Sequence, residues 1–352
     1  MNPLLYIPSI VLLIPAYLAV YFGGWWTLVL PGVVFGLVPI LELIFSGSTK
    51  NLSENLETST KDKAVFDWLI FSTVPLQVGI VIALTVAAST GHLSGWSLLG
   101  AIASVGICCG TFGINVAHEL GHRRTKFHQV LAKVLLCTSL YAHFFIEHNR
   151  GHHAKVATAD DPASASSGQT VYNFWMRSIP QGWLSAWHLE DKRLRALKHP
   201  RLTLQNEMTR LMLIQFSLVS GVGLTMGLTA MVAWLSAALG GALLLETVNY
   251  VEHYGLSRKL RANGRYERVQ PKHSWNSNHP IGRVLLFELT RHSDHHAYPG
   301  RKYPTLRHFD ESPQLPSGYP GMILLALFPP LWFAVMDPHV IREQLRLLHA
   351  AR

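Results

Sequence analysis

The sequence predicts an all-α integral membrane protein, six transmembrane helices carrying a histidine-rich helical cap, in one polytopic domain over 1–352. Three observations carry this. Of 352 residues, 49% are hydrophobic and only 14% are charged, too few charges for a soluble chain of this size. Apolar stretches at about 3–22, 25–46, 64–88, 94–117, 209–229 and 231–252 each approach the roughly 20 residues that cross a bilayer core. The charge and the histidines are segregated into what remains, above all 118–208 and 253–352.

Orientation follows from that segregation, because cytoplasmic loops are enriched in Lys and Arg. The connections at 22–25, 89–95 and 228–230 carry no Lys, Arg, Asp or Glu, whereas 50–67, 123–210 and 258–352 hold nearly all of them. Both termini, the basic loops and the histidines are thus expected on the cytoplasmic side. The first apolar stretch lacks a basic leader and a small-residue cleavage pattern, so it reads as a span and not as a cleaved signal. Cys108, Cys109 and Cys137 form no disulfide framework and fit a reducing compartment. The net charge of +9 reflects loop bias; no basic module interleaved with aromatics points to nucleic acid.

Along the chain, Gly23-Gly24 closes a tight hairpin, with Trp25 and Trp26 as interfacial anchors. Glu42 sits at the end of the second span, where it can snorkel or pair with Lys50. Residues 51–62 read as a surface loop or a short amphipathic helix. The fourth span runs straight into His118. The apolar stretch 129–145 is too short to cross comfortably and is pinned by histidines on both sides, so a packed or re-entrant helix suits it. In the loop 157–168, Asp160 or Asp161 either bonds an imidazole or lies on the surface. Segment 183–201 sets Trp183 and Trp187 against Lys192, Arg193, Arg195 and Lys198, and should rest on the bilayer surface. The sixth span ends in Glu246, Asn249, Glu252 and His253, groups costly enough to bury that a functional role is expected. The tail 314–336 should pack on the bundle or dip into the membrane without crossing.

The chemistry lies in four histidine blocks. His148 and His152 are one helical turn apart in His-Asn-Arg-Gly-His-His, with His153 beside them. His118 and His122 repeat the spacing in His-Glu-Leu-Gly-His, His292, His295 and His296 fall at i, i+3 and i+4, and His253 closes the sixth span. Neutral imidazoles at such spacing suit iron or zinc, and nine exceed one ion's coordination, so two metals are expected. Glu119, Glu246, Asn249 and Asp294 are candidates to orient these ligands by hydrogen bonds. His-Glu-Leu-Gly-His also matches the HExxH pattern of zinc proteases, but that reading leaves seven histidines unused. His273, Asn276 and His279 are softer candidates, and the other histidines read as structural or solvent-facing. A narrow apolar channel should admit substrate from lipid, with Val34, Leu37 and Val38 of the second span in its wall. Electrons must come from another protein, since the chain has no nucleotide-binding glycine loop and no Cys-x-x-Cys pair.

Together, His-Glu-Leu-Gly-His, Glu-His-Asn-Arg-Gly-His-His, Asn-Tyr-Val-Glu-His-Tyr-Gly-Leu and Arg-His-Ser-Asp-His-His resemble the four signature blocks of the membrane-bound alkane 1-monooxygenases. That family lies within the histidine-box hydroxylase and desaturase superfamily. The likeness covers nearly the whole chain. It implies a multi-pass enzyme of the bacterial inner membrane with two non-haem irons, hydroxylating the terminal methyl of an alkane with O2. It implies His118, His122, His148, His152, His153, His253, His292, His295 and His296 as metal ligands. It also implies rubredoxin and an NAD(P)H-dependent rubredoxin reductase as partners. Arg123, Arg124, Lys126, Arg258, Lys259, Arg301 and Lys302 could form a docking patch for such an acidic partner. A fatty-acyl desaturase, a hydroxylase of lipid or alkyl-aromatic methyl groups, and more distantly an intramembrane zinc protease remain as alternatives.

Overall fold

Glycines in the left-handed region set the hairpins of the bundle. The computed structural model describes residues 1–349, and Gly23, at φ 63°, turns α1 (Pro3–Phe22) into α2 (Gly24–Ile44). After α3 (Glu54–Lys61), α4 (Ala64–Ser89) reaches a turn at Gly91 (φ 72°) and returns as α5 (Gly95–Gly121). A short α6 (Lys126–Thr138) and the helical run α7 (144–155) follow, then α8 (Val171–Ala196). Gly227 (φ 88°) joins α9 (Glu207–Met226) to α10 (Leu228–His253). The cap is completed by α11 (Pro280–Leu285), α12 (His292–Ala297), α13 (Tyr319–Ala326) and α14 (Pro329–His349). The described residues form no strand, only two isolated bridges, Leu260 with Tyr266 and Asn276 with Gln314.

Six of these helices, α1, α2, α4, α5, α9 and α10, are long and apolar enough to cross a bilayer. Two boundaries differ from the sequence expectation. The fifth span ends before Gly227, not at 229, because the positive φ of that glycine breaks the helix. The fourth continues past 117 to Gly121, so His118 stands inside the helix. α6 runs in and stops at Thr138; Leu140, at φ 50°, reverses the chain, and Tyr141 N–H bonds back to the Leu136 carbonyl.

α10 is the central helix, packing against α4, α5, α8, α9 and α13. Its closest neighbour is α5, and small residues permit the approach: a Cβ built on Gly241 would stand 2.5 Å from Cys109 Cβ and 2.9 Å from the Cys109 carbonyl carbon. Both helices run away from the Gly91 and Gly227 turns, so they are parallel and deliver His118 and His253 to one end of the bundle.

The cap is tied down by buried polar bonds. Glu42 neither snorkels nor pairs with Lys50; it is buried and accepts the Gly282 N–H at 2.9 Å, because the first turn of α11 presents unsatisfied donors over the end of α2. Tyr319, at the start of α13, donates to Glu252 at 2.7 Å, and Tyr254 donates to Asp337 of α14 at 2.7 Å, so the C-terminal segment packs on α10. Helix α8 begins at Val171, capped by Thr170, and ends at Ala196, so it starts earlier and stops sooner than the expected segment 183–201. At the α5–α10 contact, Gly241→Val should cost about 1–3 kcal/mol by overpacking. By contrast, Gly240→Ala, whose added Cβ would lie 3.6 Å from Gly106 Cα, should be tolerated. Thermal melting of the two solubilised variants checks this.

Candidate metal centre

The nine block histidines converge at that common end as two adjoining groups. One comprises His118, His122, His148, His153 and His295, the other His152, His253, His292 and His296, and within each group one nitrogen per ring lies within 4.8 Å of the others. Nε2 faces Nε2 throughout. In the first group the separations are 2.7 Å for His118–His295, 3.1 Å for His122–His148, 2.9 Å for His148–His153 and 3.1 Å for His153–His295. In the second they are 3.2 Å for His152–His296, 2.8 Å for His292–His296 and 3.3 Å for His253–His292. His153 and His296 stack at 4.5 Å between ring centroids, linking the groups.

Local backbone decides which histidine joins which group. Residues His148–His152 form a π-helical turn. Its wider repeat sets His148 beside His153, five residues on, and sends His152 to the second group. The i, i+4 pairing of His148 with His152 expected from an α-helix is therefore not formed. On α12, a regular helix, His292 and His296 stay together and His295 crosses to the first group. Another π-helical stretch, Cys109–Asn115, precedes His118 on α5. Each of the two dense blocks thus contributes to both groups.

Burial, then the neighbouring rings, lowers the basicity of His148, His153, His292, His295 and His296, which keeps them neutral. A neutral imidazole has one N–H and one lone pair. Rings crowded nitrogen to nitrogen around a shared centre cannot all satisfy each other, whereas lone pairs aimed at one point suit a cation. This all-nitrogen donor set fits a borderline transition metal in each group. His152 differs: burial alone would lower it, but the Asp161 carboxylate, 2.9 Å from Nδ1, outweighs burial and raises it. That bond directs the Nε2 lone pair of His152 towards the second group. Asp161 is further held by Ser164 Oγ at 2.6 Å.

Each block also carries a carboxylate beside a histidine, and the structure gives them different tasks. Glu119 does not bond a block histidine; it pairs with Arg123 at 2.5 Å and accepts the Tyr303 N–H at 3.4 Å. So engaged, it is not disposed as the base of a zinc protease. Asp294 likewise accepts two bonds from Arg301 Nη1, at 2.6 and 2.7 Å, and a third from Arg307 N–H that clamps the 301–307 loop. Glu147 receives Ser185 Oγ at 3.3 Å, and burial, then the charge of Asp161, pushes it up to about 7. Glu252 alone enters the centre, its Oε2 3.1 Å from His292 Nε2. Its place directly before His253 was the available signal. Glu246 and Asn249 line a small polar cavity that His148 and His152 bound, but neither bonds a ring; Glu246 accepts from Tyr141 at 2.9 Å. His273 pairs with Glu267 at 3.1 Å, His279 meets Ser277 at 3.0 Å, and Asn276 accepts Ser293 Oγ at 3.0 Å, all outside the two groups.

An apolar cavity of about 440 Å3 opens between α2, α5 and α10, closed by Trp175 and α13. Its inner end reaches Thr247, about 9 Å along the helix axis from His253. From α2 it takes Pro31 and Phe35 and not Val34, Leu37 or Val38, because the π-helical turn Val33–Leu37 rotates that stretch and leaves Leu37 half exposed to lipid.

A family model described as fatty acid desaturase matches residues 94–326. Alkane 1-monooxygenase 2 of Pseudomonas aeruginosa is 42% identical over 347 residues, 92% of this chain and 89% of the relative. Alkane 1-monooxygenase 1 of the same organism is 43% identical over 319 residues, 90% of this chain and 84% of the relative. The chain belongs to the alkane 1-monooxygenase family. A more distant relative, the xylene/toluene monooxygenase hydroxylase component of Pseudomonas putida, is 26% identical over 326 residues, 92% of this chain and 85% of the relative. Membership of the alkane 1-monooxygenase family makes the chain an oxidoreductase, and its two histidine groups are the natural seat of that chemistry.

For this alkane 1-monooxygenase family member, buried neutral histidines also set the acid response of the metal-free protein. Burial first holds His122 at about 3 and His143 at about 4, below the ordinary value near 6.5. Between those limits the unfolded chain binds more protons, so stability falls as pH drops below 6.5. Chelated protein should melt at least about 5 °C lower at pH 5 than at pH 7.5. An unchanged melting temperature would contradict the burial of these rings in the neutral form.

Proposed function

We propose that the chain hydroxylates the terminal methyl of alkanes to a primary alcohol in the bacterial inner membrane, at two irons held by the nine histidines. One oxygen atom of O2 enters the C–H bond and the other leaves as water, with two electrons and two protons supplied. The observation that carries this reading is the pair of inward-facing nitrogen groups, with an apolar cavity that ends at Thr247, about 9 Å along α10 from His253. Five histidines would hold one iron, and four histidines, with Glu252 alongside, the other. Bound iron supplies reductive activation of O2, chemistry no side chain here can perform.

What the chain's own groups do can be derived from their placement. Asp161 fixes the ring of His152, and Tyr319 fixes the carboxylate of Glu252. Phe35, Trp175, Leu243 and Leu244 line a dry passage that presents a hydrocarbon end first. Glu246, Glu147 and Tyr141 give the other side of the centre a polar wall on which protons can be held away from that passage. The active site and both termini face the cytoplasm, where electrons arrive from rubredoxin reduced by its NAD(P)H-dependent reductase.

The basic docking patch is smaller than the sequence suggested. Arg123, Arg301 and Lys302 are spent on Glu119, Asp294 and Asp67, and Arg258 donates to the Ala154, Val156 and Glu267 carbonyls. Arg124, Lys126 and Lys259 stay exposed to meet an acidic partner. A second reading, hydroxylation of alkyl-aromatic methyl groups, is favoured by the xylene/toluene monooxygenase relative.

Purified protein should carry two irons. His152→Ala and His295→Ala, one from each group, should each lower bound iron and cut turnover by more than about 100-fold. One iron per chain, or full turnover in either variant, would overturn the dinuclear reading. A panel of linear alkanes, fatty acyl chains and xylenes, with products identified as primary alcohol, alkene or benzylic alcohol, decides among the substrates. Charge reversal at Arg124, Lys126 and Lys259 should raise KM for rubredoxin several-fold in a salt-dependent way. Turnover with a small chemical reductant should stay unchanged.

A further inference from the structure

A second apolar cavity, about 570 Å3, lies between α4, α6 and α9, away from the histidines and from the cavity lined by Phe35 and Trp175. Ile82, Val134, Ile214 and Leu218 form walls that remain exposed on the outer surface of the bundle, where lipid would lie. From Arg210 to Val222 the groove follows α9 for twelve residues, a rise of about 18 Å. That matches one leaflet of a hydrocarbon core about 30 Å thick, with its interface.

The end of the groove nearest the cap is charged. Lys133, Glu207 and Arg210 line it, and Glu207 and Arg210 also border an adjoining polar cavity of about 430 Å3 that adds Arg193 and His199. Lys133 is matched to Glu207 at 2.5 Å, and Arg193 forms two bonds with Glu190 at 2.9 and 2.8 Å. Arg210 has no such match. It donates to the Leu204 carbonyl at 2.9 Å, and among the described residues no carboxylate lies within 4.0 Å of it. The surrounding segment 191–210 holds six Lys or Arg against two Asp or Glu, and presents Leu197, Leu202 and Leu204 to the exterior. An apolar slot of leaflet length, ending at an unmatched guanidinium in a cationic surface, is complementary to an anion with a long hydrocarbon tail.

We propose that this groove is a binding site for one anionic phospholipid, an acyl chain lying between α6 and α9 and the phosphate on Arg210. The excess of cations at the mouth disfavours a headgroup that carries its own ammonium. The site shares no residue with the metal centre, so it stands or falls separately from the proposed reaction.

The test titrates the purified full-length protein, in neutral detergent, with phosphatidylglycerol and with phosphatidylcholine of identical acyl chains, counting bound lipid by native mass spectrometry. One phosphatidylglycerol per chain should bind, at least about fivefold more tightly than phosphatidylcholine. Arg210→Gln should remove most of that preference, and Leu218→Trp, which fills the slot, should weaken both lipids. Melting curves establish that each variant is folded, and since both residues are exposed, folding should survive. Equal affinity for the two lipids, or an undiminished preference in Arg210→Gln, would overturn the proposal. So would inorganic phosphate competing as well as the lipid, or displacement of the bound lipid by dodecane, which would make the groove a hydrocarbon site.

Discussion

Nine imidazoles brought nitrogen to nitrogen at one end of the bundle, seven of them buried and two half-buried, constitute the constraint on which this molecule turns. Most of these rings are stripped of solvent by burial, and their facing nitrogens offer one another chiefly the same lone pair. Such an assembly is stable only if something positive sits among the nitrogens, or if the surrounding helices force the rings together. The fold provides the second condition, with glycines at the α5–α10 contact and a cap locked through Glu42, Tyr319 and Tyr254. Metal is the economical answer to the first.

The bundle also keeps an apolar and a polar cavity apart. On one side lies an apolar cavity walled by Phe35, Trp175 and aliphatic residues of α10, the proposed route for hydrocarbon. On another side stand Tyr141, Glu147 and Glu246, which form a polar lining beside His148 and His152. Oxidation of an inert C–H bond requires both, since the passage must exclude water while protons and electrons are delivered. Parallel α5 and α10 make this possible by bringing one helix end from each hairpin to the same level. The outer surface of the bundle is not uniform either, since the groove that ends at Arg210 makes one sector of it shaped and charged.

Carboxylates show how little adjacency in sequence says about partnership. Glu119, Glu147, Glu252 and Asp294 each neighbour a block histidine, yet they engage an arginine, a serine, the metal centre and a loop, respectively. Asp161, nine residues from His152 in a loop without regular periodicity and one of two aspartates open to such a role, makes the hydrogen bond to a block histidine that was expected of Glu119 and Asp294. The same applies to cations: three of the seven in the expected docking patch are internal structural pairs.

The sequence by itself determined the class of fold, the six spans to within a few residues, and the nine histidines that come together. These properties rest on composition and short-range spacing: hydrocarbon thickness demands about twenty apolar residues, and clustered imidazoles are legible as motifs. Only the tertiary structure decided the sharing of histidines between two groups, because a π-helical turn at His148–His152 changes the local repeat without any mark in residue type. It alone decided that Phe35 and not Val34 faces the apolar cavity, and that Glu252 enters the centre while Glu119 does not. Those outcomes depend on which way a side chain turns when distant helices pack, and periodicity along one chain carries no information about that.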